Sequence, residues 1–104
     1  MERLKELQEL WAQMRKMVLE RQEDKSLQEC KKRFVSLVNS LVDSSEILIC
    51  YPNYQIRLPK IVTAVFDYSQ ETPALQLWYT SNGQVCSFNL YFRLSFDFVL
   101  DGGG

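Results

Sequence analysis

Residues 86–98 alternate without interruption: Cys86, Phe88, Leu90, Phe92, Leu94, Phe96 and Phe98 share one parity, and Ser87, Asn89, Tyr91, Arg93, Ser95 and Asp97 the other. Side chains alternate across a strand with period two, so this run describes a sheet with one apolar and one polar face. An apolar sheet face needs a cover. The first forty residues, rich in helix-spaced apolar positions, are the candidate for it.

Leu4, Leu7, Trp11, Met14 and Val18 step by threes and fours, as do Leu27, Cys30, Phe34, Leu37 and Leu41. Each set is a heptad-like seam. The two are out of phase, because Val18 and Leu27 are nine residues apart across the polar run Glu20-Arg21-Gln22-Glu23-Asp24-Lys25. Ser26 and Glu29 match a capping box, which would start a second helix there. With no Gly or Pro in the stretch, the reading leans to one continuous helix over residues 1–42. A helix spanning 2–42 would be about 60 Å long, longer than a small head, so its amino-terminal part is expected to project as a coiled-coil stem.

After Asp43-Ser44-Ser45-Glu46 the pattern turns to strands: 47–51, stopped by Pro52-Asn53; 54–58, stopped by Pro59; 61–68, with Val62, Ala64, Phe66 and Tyr68 as the inner set; and 74–80. Asn82-Gly83 signals a type I′ hairpin. Placing those two in the turn pairs Ser81 with Gln84, Tyr79 with Cys86, Leu77 with Phe88 and Leu75 with Leu90. Trp78 then faces Ser87, Gln76 faces Asn89 and Ala74 faces Tyr91. A slip of one residue would put every apolar side chain on the wrong face. A strand over 85–98 would extend about 46 Å at roughly 3.3 Å per residue, twice what its hairpin partner can pair. Residues 94–100 must therefore find another partner, bend, or belong to a different sheet edge; the strand at 47–51, a second copy or another protein could supply that partner.

The 104 residues suit one small domain, with 12 basic residues against 13 acidic ones. That balance argues against a nucleic-acid binder, and no apolar run reaches the roughly 20 residues of a membrane span. Met1-Glu2-Arg3-Leu4-Lys5 is charged with no apolar segment behind it, so no signal peptide is expected. Cys30, Cys50 and Cys86 are widely spaced and the chain has no histidine. No metal site or cofactor is expected, the thiols read as small hydrophobes, and a reducing compartment, nucleus or cytoplasm, follows. Without histidine, acid–base catalysis would rest on Glu23-Asp24 or Asp43 and Glu46, which read as solvated helix edges. The chain reads as a non-enzyme. The basic group Lys25, Lys31, Lys32 and Arg33, interleaved with Glu23, Asp24 and Glu29, reads as an ion-paired helix face.

Helical stem, short bridge and meandering antiparallel sheet resemble the RWD-like heads of kinetochore coiled-coil proteins: the Knl/Spc scaffold family, the mitotic-arrest-deficient checkpoint coiled coil and monopolin-type subunits. The residues that carry the resemblance are Pro52-Asn53-Tyr54-Gln55-Ile56, Leu75-Gln76-Leu77-Trp78-Tyr79-Thr80-Ser81 and Phe88-Asn89-Leu90-Tyr91-Phe92, within about residues 34–96. Arg3-Leu4-Lys5 looks like the short basic motif with which the checkpoint family engages a kinase, though it lies much further upstream of the sheet. RWD domains also continue into a helix that packs beyond the sheet; here the amino-terminal helix does all the covering, or that helix lies further along a longer chain or comes from a partner.

The expected architecture is α+β: a coiled-coil stem (1–25), a head (26–101) of one helix on an antiparallel sheet of four to five strands, and a flexible glycine tail (102–104). The resemblance implies a scaffolding module dimerising, with itself or another chain, through Leu4, Leu7, Trp11, Met14 and Val18. The alternatives are a peptide-binding adaptor adding a partner strand to an open sheet edge, with Trp78 and Tyr91 as anchors, and a regulatory subunit of an enzyme.

Overall fold

The apolar stripes of the amino-terminal forty residues resolve into a helical hairpin. The computed structural model describes residues 2–101, so the glycine tail at 102–104 lies outside the described residues. Helix α1 is Glu2–Leu19 and α2 is Lys25–Ser44. The continuous helix leaned to above is thus corrected, and the nine-residue offset explains why. At 3.6 residues per turn, nine residues rotate Leu27 about 180° from Val18, so an unbroken helix would need apolar cover on opposite sides. Folding back brings both stripes onto one core.

The turn has its own chemistry. The Gln22 N–H donates to the Met17 carbonyl at 2.8 Å and the Arg21 N–H to that of Val18 at 3.1 Å. This is a Schellman close, with Arg21 at φ 58° in the left-handed position usually held by glycine. Asp24 caps α2, its carboxylate accepting from the Leu27 N–H at 3.3 Å. The Ser26–Glu29 capping box is therefore not used: Ser26 lies inside the first turn, and Glu29 sits 3.9 Å from Lys25.

Six strands follow: β1 (Glu46–Cys50), β2 (Gln55–Arg57), β3 (Thr63–Asp67), β4 (Ala74–Ser81), β5 (Gln84–Tyr91) and β6 (Asp97–Asp101). They form two three-stranded antiparallel sheets, β2-β1-β6 and β3-β4-β5, where one sheet of four to five strands was expected. The hairpin register is as read, from Ser81 opposite Gln84 to Ala74 opposite Tyr91. The long strand is corrected to two. Pro73 precedes β4 and accepts from the Phe92 N–H at 3.1 Å; having no N–H, it offers no donor in return. The chain then turns, the Leu94 N–H donating to the Tyr91 carbonyl, and resumes as β6 against β1, one of the partners considered for 94–100. Phe92, Phe96 and Phe98 keep their parity on the core side, whereas Leu94 is thrown out to solvent. Within β3, Ala64 is buried and Phe66 packs on the core, but Val62 and Tyr68, just outside the strand's two ends, are exposed.

One hydrophobic core draws on both helices and both sheets, so residue 25 marks the entry to α2 and not a border between stem and head. Its densest part is aromatic. Trp11 stacks on Phe92 with centroids 4.5 Å apart and planes at 11°, and Phe34, Phe96 and Phe98 surround it. Outside that core α1 and α2 are joined by exposed groups, Arg33 to Glu6 at 2.6 Å and Arg3 to Ser40 at 2.9 Å. Burying one large apolar side chain contributes roughly 1.5–3 kcal/mol, an exposed ion pair about 0–1. Apolar packing therefore decides where α1 lies. The longest dimension of the molecule is 40 Å, and no stem projects from it.

Because Arg21 occupies a conformation that disfavours a Cβ, Arg21→Gly should raise stability by about 1 kcal/mol. Urea unfolding followed by circular dichroism measures this, and a lower midpoint in the variant would contradict it.

Candidate protein interface

The seam expected to grip another chain is spent internally. Leu7, Trp11, Met14 and Val18 are buried in the chain's own core and Leu4 is half-buried against it. The coiled-coil interface is corrected accordingly: covered by α2 and the 92–98 segment, these side chains are not at the surface. The basic group on α2 is also dispersed. Arg33 reaches across to Glu6, Lys25 lies near Glu29, and the Lys31 ammonium sits 5.3 Å from the centre of the Phe66 ring.

Trp78 and Tyr91 share the outer face of sheet β3-β4-β5 but do not meet. Trp78 stands opposite Ser87 and Tyr91 opposite Ala74, four residues further along β5, or about 13 Å. Between them run Gln76 and Asn89. The Trp78 Nε1–H donates to Gln76 Oε1 at 2.8 Å, Asn89 Nδ2 to the Tyr91 hydroxyl at 3.4 Å, and that hydroxyl to Gln70 Oε1 at 3.1 Å. Both rings are half-buried, while Val65 and Val85 on the same face are 46% and 68% exposed. An aromatic ring held in place by its own polar neighbours loses little freedom on binding.

The edges of the two sheets are treated very differently. The free side of β6 is met by α1, whose Gln8 Nε2 approaches the Phe98 carbonyl at 3.4 Å, and Arg15 Nε donates to the Phe92 carbonyl at 2.7 Å. β2 is three residues long and carries Arg57, paired with Glu46 at 3.4 Å. β3 is entered through Ile61, whose N–H and C=O are both bonded by Asn39 of α2, and it ends at Asp67. Short length, charge and cover are the usual guards of a sheet edge.

β5 has none of them. Gln84–Tyr91 is eight residues without a charge, a proline or a glycine. The Phe92 N–H points at Pro73 on the β4 side, so by alternation the even residues of β5 face β4 and the odd ones face outward. The N–H and C=O groups of Val85, Ser87 and Asn89 and the N–H of Tyr91 have no protein partner among the described residues. The hairpin register in the sequence places Trp78 and Tyr91 on this face, but the identity of β5 as the unguarded edge is not written there. It depends on the strand ending at Tyr91 and on α1 turning back to cover β6.

Other candidate chemistry is sparse. Among the described residues no group of three or more Cys, Asp and Glu side chains could hold a metal ion, and no helix is long and apolar enough to cross a membrane. A cleft of about 500 Å3 beneath the α1–α2 turn is lined by Val18, Arg21, Glu23, Tyr68, Glu71 and Arg93 among others. Burial, and then the nearby Glu23 carboxylate, raise the Tyr68 phenol above its ordinary value. The cleft holds opposite charges but neither a thiol nor a histidine. Compared with known proteins, the chain matches no family model, no curated protein and no solved structure.

The three thiols are free. Cys30 is buried with its Sγ 3.4 Å from the Leu10 carbonyl, and burial raises its pKa, partly offset by Arg33. Iodoacetamide applied to the folded chain should label Cys50 and Cys86 well before Cys30, as read by peptide mass spectrometry. Early labelling of Cys30 would contradict the buried packing of the helical hairpin.

Proposed function

We propose that this chain is a non-catalytic protein-interaction module that takes up an extended partner strand along the outer edge of β5. The observation that carries the reading is the contrast among edges: three are short, charged or covered, and the fourth is long, neutral and open. Main-chain bonds to Val85, Ser87, Asn89 and Tyr91 would supply affinity. The outer face, with Trp78, Val85 and Tyr91, would read the side chains of the added strand, since aromatic side chains dominate such contacts. A balanced net charge of −1 suits a protein partner better than a nucleic acid.

Selection of displayed random peptides on the folded chain at low concentration tests the reading. Ser87→Pro removes an outward amide and leaves the β4 ladder whole, because Ser87 does not donate to β4; prolines are tolerated at such edge positions. Selected peptides should bind Ser87→Pro about tenfold or more weakly, and Trp78→Ala or Tyr91→Ala should also weaken them. Failure of a monomeric chain to select any peptide, or equal binding to parent and Ser87→Pro, would contradict strand addition.

A further inference from the structure

We infer that the strand taken up by β5 is β5 of a second copy, paired antiparallel about a two-fold axis at Phe88. The inference rests on the strand-addition reading and names its partner. Two-fold pairing of a strand with itself sets each residue against a fixed mate of the same sequence, so a charge fits only where that mate carries the opposite charge, and a strand without charges meets no such condition. β6 carries Asp97 and Asp101, β3 carries Asp67 and β2 carries Arg57. Of the four edge strands, β5 alone has no charged residue.

Geometry selects the register. Outward-facing backbone groups lie at odd positions, so odd residues must pair with odd. An axis at Phe88 sets Ser87 against Asn89 and Val85 against Tyr91 of the second copy, which keeps all four outward residues opposite strand residues. An axis at Ser87 would set Tyr91 against the turn residue Gly83. On the outer face the chosen register pairs an apolar residue with an aromatic one and a hydroxyl with an amide. On the inner face it brings Phe88 against Phe88 and Cys86 against Leu90.

That inner pairing meets a second, independent feature of the molecule. The far end of the hairpin overhangs the core, leaving Cys86, Phe88 and Tyr79 half-exposed on the apolar face, with the Tyr79 and Phe88 rings 5.9 Å apart. Joining two copies at β5 would set Phe88 against its own equivalent and Cys86 beside Leu90 of the second copy, covering part of that half-exposed surface. It would also turn two three-stranded sheets into one of six strands, with no open β5 edge left.

Light scattering coupled to size exclusion should show a particle of twice the 12.2 kDa chain mass at high concentration. Positions 87 and 89 are on the outer face, so charges there leave the core untouched. Ser87→Lys with Asn89→Lys sets like charges opposite one another twice and should weaken the dimer about tenfold or more. Ser87→Lys with Asn89→Glu sets opposite charges and should restore it. Circular dichroism checks that both variants fold. A monomer at every concentration up to about 1 mM, or a dimer indifferent to both substitutions, overturns the inference. If the chain is monomeric and selected peptides still bind in a Ser87-dependent way, the second copy is excluded and strand addition stands. If neither is seen, both readings fall.

Discussion

The stacking of Trp11 on Phe92 is the contact on which the rest of the molecule depends. It joins α1 to the turn between β5 and β6, and through Phe34 and Phe98 it joins that turn to α2 and to the sheet β2-β1-β6. An indole and a phenyl ring in offset contact contribute about 0.5–1.5 kcal/mol beyond the burial of their area. Here the burial is nearly complete, with Trp11 8% exposed and Phe92 fully enclosed. The cluster lies where the chain passes from one sheet to the other. Without α1 packed there, the apolar side of the 92–98 segment would face water.

From that contact the condition of each edge follows. Holding α1 against 92–98 lays Gln8 and Arg15 along backbone carbonyls that would otherwise be open. The helical hairpin thus covers the edge of one sheet as well as the apolar side of both. The other sheet ends at β5, beyond the reach of either helix. An unguarded edge is a liability because it offers unpaired backbone groups to any other strand, and the lack of any guard on β5 is the basis for reading it as a working surface.

Parts of this arrangement are legible in the amino-acid order and parts are not, for identifiable reasons. The β4–β5 register is legible because Asn82-Gly83 and the apolar alternation specify it independently, and both agree with the observed pairs. The division of 85–98 into two strands is hidden, because Phe92, Phe96 and Phe98 keep one parity across the turn and only Leu94 departs from it. Alternation records which way a side chain points and not which strand lies alongside. The helical turn is hidden for another reason: Arg21 takes a left-handed conformation that glycine would have advertised. The offset between Val18 and Leu27 is the signal that was there to be read. It also decides the candidate site, since a straight helix would have presented Trp11 to a partner. The resemblance to RWD-like heads drew on the Pro52-Asn53 bend and the β4–β5 strands.

The account stands on Trp11 being an internal side chain. Urea unfolding of Trp11→Ala against the parent chain, followed by circular dichroism, measures this directly. An enclosed indole predicts a loss of about 3–5 kcal/mol, a large part of the roughly 5–15 kcal/mol that typically holds a domain folded. A variant within about 1 kcal/mol of its parent would place Trp11 on a surface and contradict the fold-back of α1.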